Sequence, residues 1–207
     1  SKLVQEIRRG TDWGITVPEI HIDFPKLMKR KDAVIEQLLL NIEGFIIEGD
    51  FVNDIVSGYG KWVDTEGTIY KGNWSKNKKN GLGEETYMDG SYYFGNFVNG
   101  KKNGKGKFSF PEGNSYEGEF WNNEIKGEGK YIFKDGRTYL GQFFNNKMNG
   151  YGLFHWPDKK KYYGAYSNNS KDGFGLFTWP DGKKFEGAWD VYGEQLITGR
   201  DFQASFG

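Results

Sequence analysis

The sequence predicts an all-β protein: an elongated single-layer antiparallel sheet of tandem 23-residue β-hairpins, preceded by one amphipathic α-helix. Three observations predict it. One glycine recurs every 23 residues, as Gly49, Gly72, Gly95, Gly118, Gly141, Gly164 and Gly187. A Gly-x-Gly pair follows on the same period, at Gly58/Gly60, Gly81/Gly83, Gly104/Gly106, Gly127/Gly129, Gly150/Gly152 and Gly173/Gly175. After each pair the side chains alternate in period two, as in Phe108-x-Phe110, Tyr131-x-Phe133, Phe154-x-Trp156 and Phe177-x-Trp179, which is strand patterning. A fixed period of this length marks a repeat architecture, in which each unit buries its apolar face against its neighbours.

The elements follow in order. Residues 1–24, with Trp13, Pro18 and the alternating Ile20-His21-Ile22, read as an extended arm. Pro25 suits a first helical turn, and Leu27, Met28, Val34, Ile35, Leu38, Leu39 and Ile42 fall on one face of a helix that Gly44 stops. That helix, closing the segment 1–44, has two candidate uses. It caps the open edge of the first hairpin, or it docks a partner, a second copy or a membrane surface with help from Lys29, Arg30 and Lys31.

The array then runs over residues 45–192, as six units and a half. Each unit opens aromatic-x-Gly-x-aromatic, as in Tyr116-Glu117-Gly118-Glu119-Phe120, passes through a polar Asn/Lys/Gly loop, and returns on a strand expected to begin at Gly-x-Gly. An acidic-Gly pair leads to the next unit at Glu66-Gly67, Asp89-Gly90, Glu112-Gly113, Asp135-Gly136 and Asp181-Gly182, where a tight turn needs positive φ. The fifth unit has Asp158-Lys159 instead, so its junction is expected to depart from the others. In the seventh unit Leu196 and Thr198 replace the glycine pair, and 193–207 read as a cap or tail. At about 4.8 Å per strand such an array would extend roughly 60 Å, as a rod. The repeated glycines are expected to leave room for rings to lie on bare backbone.

The marks Tyr116-Glu117-Gly118-Glu119-Phe120, Gly127-Glu128-Gly129 and Asp135-Gly136 together resemble the MORN (membrane occupation and recognition nexus) repeat, YxGxW…GxGxxxxxDG. The resemblance covers roughly residues 45–192. It implies a twisted single sheet with an aromatic-lined groove. The family includes radial-spoke and other axonemal proteins, cortical cytoskeletal proteins, junctophilins that bridge membranes, and repeat blocks attached to lipid kinases or a methyltransferase. It therefore implies a scaffold that grips a helical or extended segment of a protein partner, in an axonemal or cortical cytoskeletal assembly inside the cell. A lipid-associating module and a targeting block of a larger enzyme are its alternatives.

Composition narrows the chemistry. Lysine plus arginine equals aspartate plus glutamate at 28 each, so no global field draws the chain to nucleic acid or an anionic membrane. Cysteine is absent, which removes disulfides, thiolate metal sites and cysteine nucleophiles. No apolar run approaches the ~18 residues that span a bilayer. The chain opens at Ser1 without methionine or a signal-peptide pattern and is read as part of something longer. His155 occupies a slot held by Thr86, Ser109, Ile132 and Thr178 in other units, so it reads as a surface residue rather than a ligand or general base. The Gly-x-Gly pairs open strands rather than helices, unlike a phosphate loop. No catalytic residue, metal site or cofactor is expected.

Two sets of residues are candidates for binding. A single-layer sheet has no second layer to cover its rings, so Tyr116, Phe120, Tyr139, Phe143, Tyr162 and Tyr166, then Trp156 and Trp179, are expected to line a partly open groove for a protein partner. Lys76, Lys78, Lys79, Lys101, Lys102 and Lys105 would gather on one edge as the alternative, a strip for anionic lipid head groups. Partner protein, an anionic membrane surface and a second copy of the chain all stay open; nucleic acid does not.

Overall fold

The computed structural model describes residues 44–52, 55–190 and 200–202. The chain divides into two units, Ser1–Ile42 and Glu43–Gly207. The expected arm over 1–24 and helix over 25–42 lie outside the described residues. Within the second unit, fourteen strands form one open antiparallel sheet whose spatial order is the chain order. They are β1 Gly44–Val52, β2 Ile55–Asp64, β3 Ile69–Ser75, β4 Lys78–Thr86, β5 Tyr92–Val98, β6 Lys101–Ser109 and β7 Ser115–Trp121. There follow β8 Glu124–Ile132, β9 Thr138–Phe144, β10 Lys147–His155, β11 Lys161–Ser167, β12 Ser170–Thr178, β13 Lys184–Trp189 and β14 Arg200–Phe202. No helix occurs among the described residues. β14, from the expected cap or tail, pairs with β13.

The hairpins are tighter than the sequence suggested. The return strand begins not at Gly-x-Gly but three residues earlier, after a turn of only two residues. Asn145 and Asn146 have φ of 48° and 63°, and Asn168 and Asn169 have 49° and 72°. Two consecutive positive φ values define the turn that matches strand twist, and asparagine is among the few side chains that adopt them. The first glycine of each pair then serves a different purpose from the second. Between the pairs Gly72↔Gly83 and Trp74↔Lys79, β4 carries two residues more than β3, and Gly81 at φ 91° sits in that bulge.

The turns also clip the hairpins together. The Asn146 Oδ1 accepts the Ile125 backbone N–H at 2.8 Å, while the Asn146 N–H donates to the Ile125 carbonyl at 3.1 Å. Asn123 treats Lys102, and Asn169 treats Met148, in the same reciprocal way. Gly100 keeps only the backbone half of this clamp, donating to the Lys79 carbonyl at 2.8 Å.

At the opposite edge, the acidic-Gly turns share one backbone pattern, to which the Asp-Gly turns add a carboxylate bond. Gly136 N–H donates to Phe133 O, Phe133 N–H donates to Arg137 O, and the Asp135 carboxylate accepts the Arg137 N–H. Lys159 does not make its junction depart. The Lys159 N–H donates to Trp156 O and the Trp156 N–H to Lys160 O, both at 3.0 Å, with Asp158 accepting from Lys160 N–H. Lys159 takes φ 71°, so the junction keeps the turn and carries the strain of a non-glycine residue in the left-handed region.

One face of the sheet holds the core. Tyr116 lies flat over the Gly118/Gly129 pair, where a Cβ on Gly129 would collide with its ring. Its hydroxyl donates to the Glu119 carbonyl at 3.0 Å, a bond repeated by Tyr93 to Asn96 and Tyr139 to Gln142. Burial pushes these phenols up, Tyr139 to about 12. The buried rings form one unbroken file, Trp74, Tyr70, Phe97, Tyr93, Phe120, Tyr116, Phe143, Tyr139, Tyr166, Tyr162, Trp189 and Phe185. Successive centroids are 4.9–5.5 Å apart and every pair is edge-to-face. Each such contact adds roughly 0.5–1.5 kcal/mol beyond area burial. Because every ring between the two ends meets one in its own hairpin and one in the next, the file carries the stability that a lone hairpin lacks.

Candidate functional site

The file of buried rings is the floor of a groove, not its lining. Tyr116, Tyr139 and Tyr162 are wholly inaccessible, and Phe120, Phe143 and Tyr166 are at most 5% exposed. The contact role expected of these six is therefore not open to them. Tertiary packing inverts the expectation, because the glycine pair lets each tyrosine sink onto the backbone and its hydroxyl finds a carbonyl without water. Trp156 and Trp179 are the two expected residues that stay half-buried and accessible.

Those two belong to a second file of rings on the same face, nearer the acidic-Gly turns. It runs Tyr87, Phe108, Phe110, Tyr131, Phe133, Phe154, Trp156, Phe177 and Trp179, with centroids 4.4–6.1 Å apart and planes tilted by 36–55°. No glycine stands opposite these rings, so all but the buried Phe154 lie less deep than the first file, and together they form one wall. The facing wall is built at the two-residue turns by the position 21 residues before each clamping residue: Val56, Lys79, Lys102, Ile125 and Met148, with Lys171 next on the period. Between the walls, Phe110, Tyr131 and Phe133 face Ile125, Met148, Asn146 and Asn169 across a recess of about 510 Å³ floored by Phe143.

The groove changes character along its length. In the second and third units an ionic cluster occupies it. Glu85 takes the slot that Phe108, Tyr131 and Phe154 hold elsewhere, and it is buried. The Lys79 ammonium lies 2.6 Å and the Lys102 ammonium 2.8 Å from its two oxygens, with side-chain exposures of 14% and 12%. The Tyr87 hydroxyl donates to the same carboxylate and accepts from Lys102. Burial alone would raise the Glu85 carboxyl, but the charges and hydrogen bonds of Lys102 and Lys79 outweigh it and hold it below the ordinary carboxylate value. Each lysine also lies over rings, Lys79 over Trp62 at 4.3 Å and Lys102 over Tyr93 at 5.2 Å.

This cluster corrects the expected lysine strip. Lys79 and Lys102 point into the groove and are committed to Glu85, so they do not face a membrane. Lys105 opposes Glu119 on the other face of the sheet, and only Lys76, Lys78 and Lys101 stand exposed beside the turns. His155 makes no metal cluster, and among the described residues no group of three or more histidine or acidic side chains gathers to hold an ion.

Sequence reasoning missed Ile125, Met148, Lys171 and Glu85 as groove residues. The signal was available: their slots recur every 23 residues, and one reads Val, Lys, Lys, Ile, Met, Lys while the glycine and ring slots of the unit stay nearly constant. What was lacking was the knowledge that Lys79, Lys102, Met148 and Lys171 in this slot keep partial exposure while the tyrosine slot keeps almost none.

The outer face follows a different logic. In register from β9 to β12, Leu140, Leu153, Tyr163 and Leu176 stand side by side, with Leu140 56% and Tyr163 57% exposed. Lys130 adjoins one end of the row and Glu186 the other. In the earlier units the same row is charged except at Phe94, running Lys71, Glu84, Phe94, Lys107, Glu117.

Three solved structures show limited likeness. The SAS-4 (dCPAP) TCP domain of Drosophila melanogaster, solved with a proline-rich motif of Ana2 (dSTIL), has 12% identity and a TM-score of 0.45, covering 91% of this chain and 95% of that one. The G-box domain of the microcephaly protein CPAP has 16% identity and a TM-score of 0.33, covering 77% and 96%. The TCP10 domain of Danio rerio CPAP has 14% identity and a TM-score of 0.25, covering 71% and 90%. These values are too low to carry an argument about fold or function. No curated protein matches the chain. The repeat itself is matched six times, at residues 48–69, 70–92, 93–115, 116–136, 139–161 and 162–184, and the chain belongs to the MORN repeat family.

Proposed function

We propose that this repeat array is a non-catalytic scaffold that holds an extended segment of a partner protein in the groove between its two walls. The observation that carries this reading is the recess walled by Phe110, Tyr131, Phe133, Ile125 and Met148, an apolar hollow on a face whose own rings already satisfy one another. Apolar area left open in this way stabilises nothing until something covers it. A service in an axonemal, radial-spoke-like or cortical cytoskeletal assembly accords with the family, and belongs to the same proposal. Membrane association through the turn lysines has less support, because Lys79 and Lys102 are both paired with Glu85 inside the groove.

A photo-crosslinking residue placed at Met148, and separately at Tyr151 on the opposite face, tests the groove in source cells. One defined protein captured from Met148 and not from Tyr151 supports the reading. Equal capture from both faces, or lipid adducts alone, overturns it.

The outer row favours one further contact, with a second copy. Laid antiparallel on itself, Leu140-Leu153-Tyr163-Leu176 sets Lys130 of each copy against Glu186 of the other, a self-complementary arrangement that a two-fold axis requires. Sedimentation equilibrium of the intact chain and of Leu153→Lys checks it. A monomer at all concentrations in both forms rules the contact out.

A further inference from the structure

The groove changes once more beyond the recess, and Lys171 marks the change. This lysine occupies in the sixth repeat the slot of Ile125 and Met148. Its ammonium stands 4.9 Å from the Tyr162 ring, 5.1 Å from Phe177, 5.6 Å from Trp156 and 5.8 Å from Trp189. Lys79 and Lys102, in the same slot, share Glu85; position 177, which corresponds to Glu85, is a phenylalanine. Among the described residues no carboxylate lies within ion-pair distance of Lys171. Burial holds its ammonium below the usual lysine value. A cation caged by ring faces and half-withdrawn from water gains more from an arriving carboxylate than a solvated surface lysine does.

Resting on the groove reading above, we propose that the groove selects an extended segment that seats an apolar side chain in the Ile125–Met148 recess and a carboxylate on Lys171. The spacing follows from the sheet. Met148 in β10 and Lys171 in β12 are two strands apart, about 9.6 Å at the usual strand spacing, and an extended chain advances about 3.3 Å per residue. The carboxylate therefore belongs about three residues from the apolar anchor. The Lys79–Glu85–Lys102 cluster, with both ammonium groups already paired to one carboxylate, fills the groove at the other end and gives the binding a direction along the array.

The test is selection of a phage-displayed random dodecapeptide library on the immobilised full chain, in parallel with Lys171→Met, Lys171→Glu and Met148→Lys. Lys171→Met keeps an unbranched stem against the rings, and circular dichroism confirms that each variant folds. The wild type is expected to enrich peptides with a large apolar residue and Asp or Glu about three positions away. Lys171→Met should keep the apolar preference, lose the acidic one, and bind the wild-type consensus peptide at least tenfold more weakly. Lys171→Glu should exchange the acidic preference for a basic one.

Enrichment that responds to Met148→Lys but shows no acidic residue, or shows it undiminished in Lys171→Met, overturns the carboxylate and leaves the groove. No enrichment, or enrichment indifferent to Met148→Lys, overturns both.

Discussion

The second and third repeats fill the groove with a carboxylate and two ammonium groups, whereas the fourth and fifth hold apolar side chains at the same positions and leave a recess beside them. Backbone, register and glycine pairs are alike in both regions. The two regions therefore separate what holds the sheet together from what the groove contains. Ring packing over glycine is common to both and carries the fold; the slots beside it are free to vary, and variation there sets what the surface accepts. A buried ion cluster costs desolvation that its attraction only partly offsets, so the ionic region is not expected to be the more stable one.

The comparison breaks most sharply at Glu85. Glu85→Ala leaves Lys79 and Lys102 facing each other without their counter-charge, and is expected to cost about 3–5 kcal/mol in urea unfolding. Converting the region to the pattern of its neighbours, with Lys79→Ile, Glu85→Phe and Lys102→Met together, should be neutral or stabilising by about 1–4 kcal/mol. A loss comparable to the single variant would show that the cluster does more than fill space.

The two forms should also part with pH. The Glu85 carboxyl lies below its ordinary value in the fold, so its contribution is complete above that ordinary value, 4.5, and is lost as pH falls through the lowered folded value. Unfolding of the parent should thus weaken below about pH 4.5 by more than unfolding of the triple variant, read as a steeper fall in midpoint.

Smaller effects sharpen the contrast at the edges. The apolar region is clamped by Asn146 and Asn169 through side chain and backbone, while Gly100 clamps Lys79 by backbone alone. Asn146→Gly should cost about 1 kcal/mol, and Gly100→Asn should return part of that amount to the ionic region. Both are measurable as midpoint shifts. The smallest change concerns Lys159, whose φ of 71° suits glycine better. Lys159→Gly is expected to raise stability by about 0.5 kcal/mol, a small gain because glycine also frees the unfolded chain.

How far the sequence could be read depends on whether a residue's role is local. Strand patterning, acidic-Gly turns and the repeat period are local, and they were legible. The bulge at Gly81 was not, because a two-residue surplus shows only when β4 is set against β3. Lys159 was misjudged for the same kind of reason: a turn's own preference can be overruled when the strands on either side are pinned by their neighbours. The site suffered most. Tyr116 and Tyr131 are both strand aromatics on one face, and only the glycine pair opposite Tyr116 tells which one sinks and which one stands.

By itself the sequence determined the family, the repeat length, the antiparallel hairpin and the identity of the sheet-forming rings, because each rests on spacing along the chain. The tertiary structure decided which rings are floor and which are wall, that Lys79 and Lys102 turn inward to Glu85, and that Lys171 stands caged by rings with no described carboxylate beside it. Those outcomes depend on contacts between residues one repeat apart, where a glycine, a ring or a charge on the neighbouring strand sets how deep a side chain can lie.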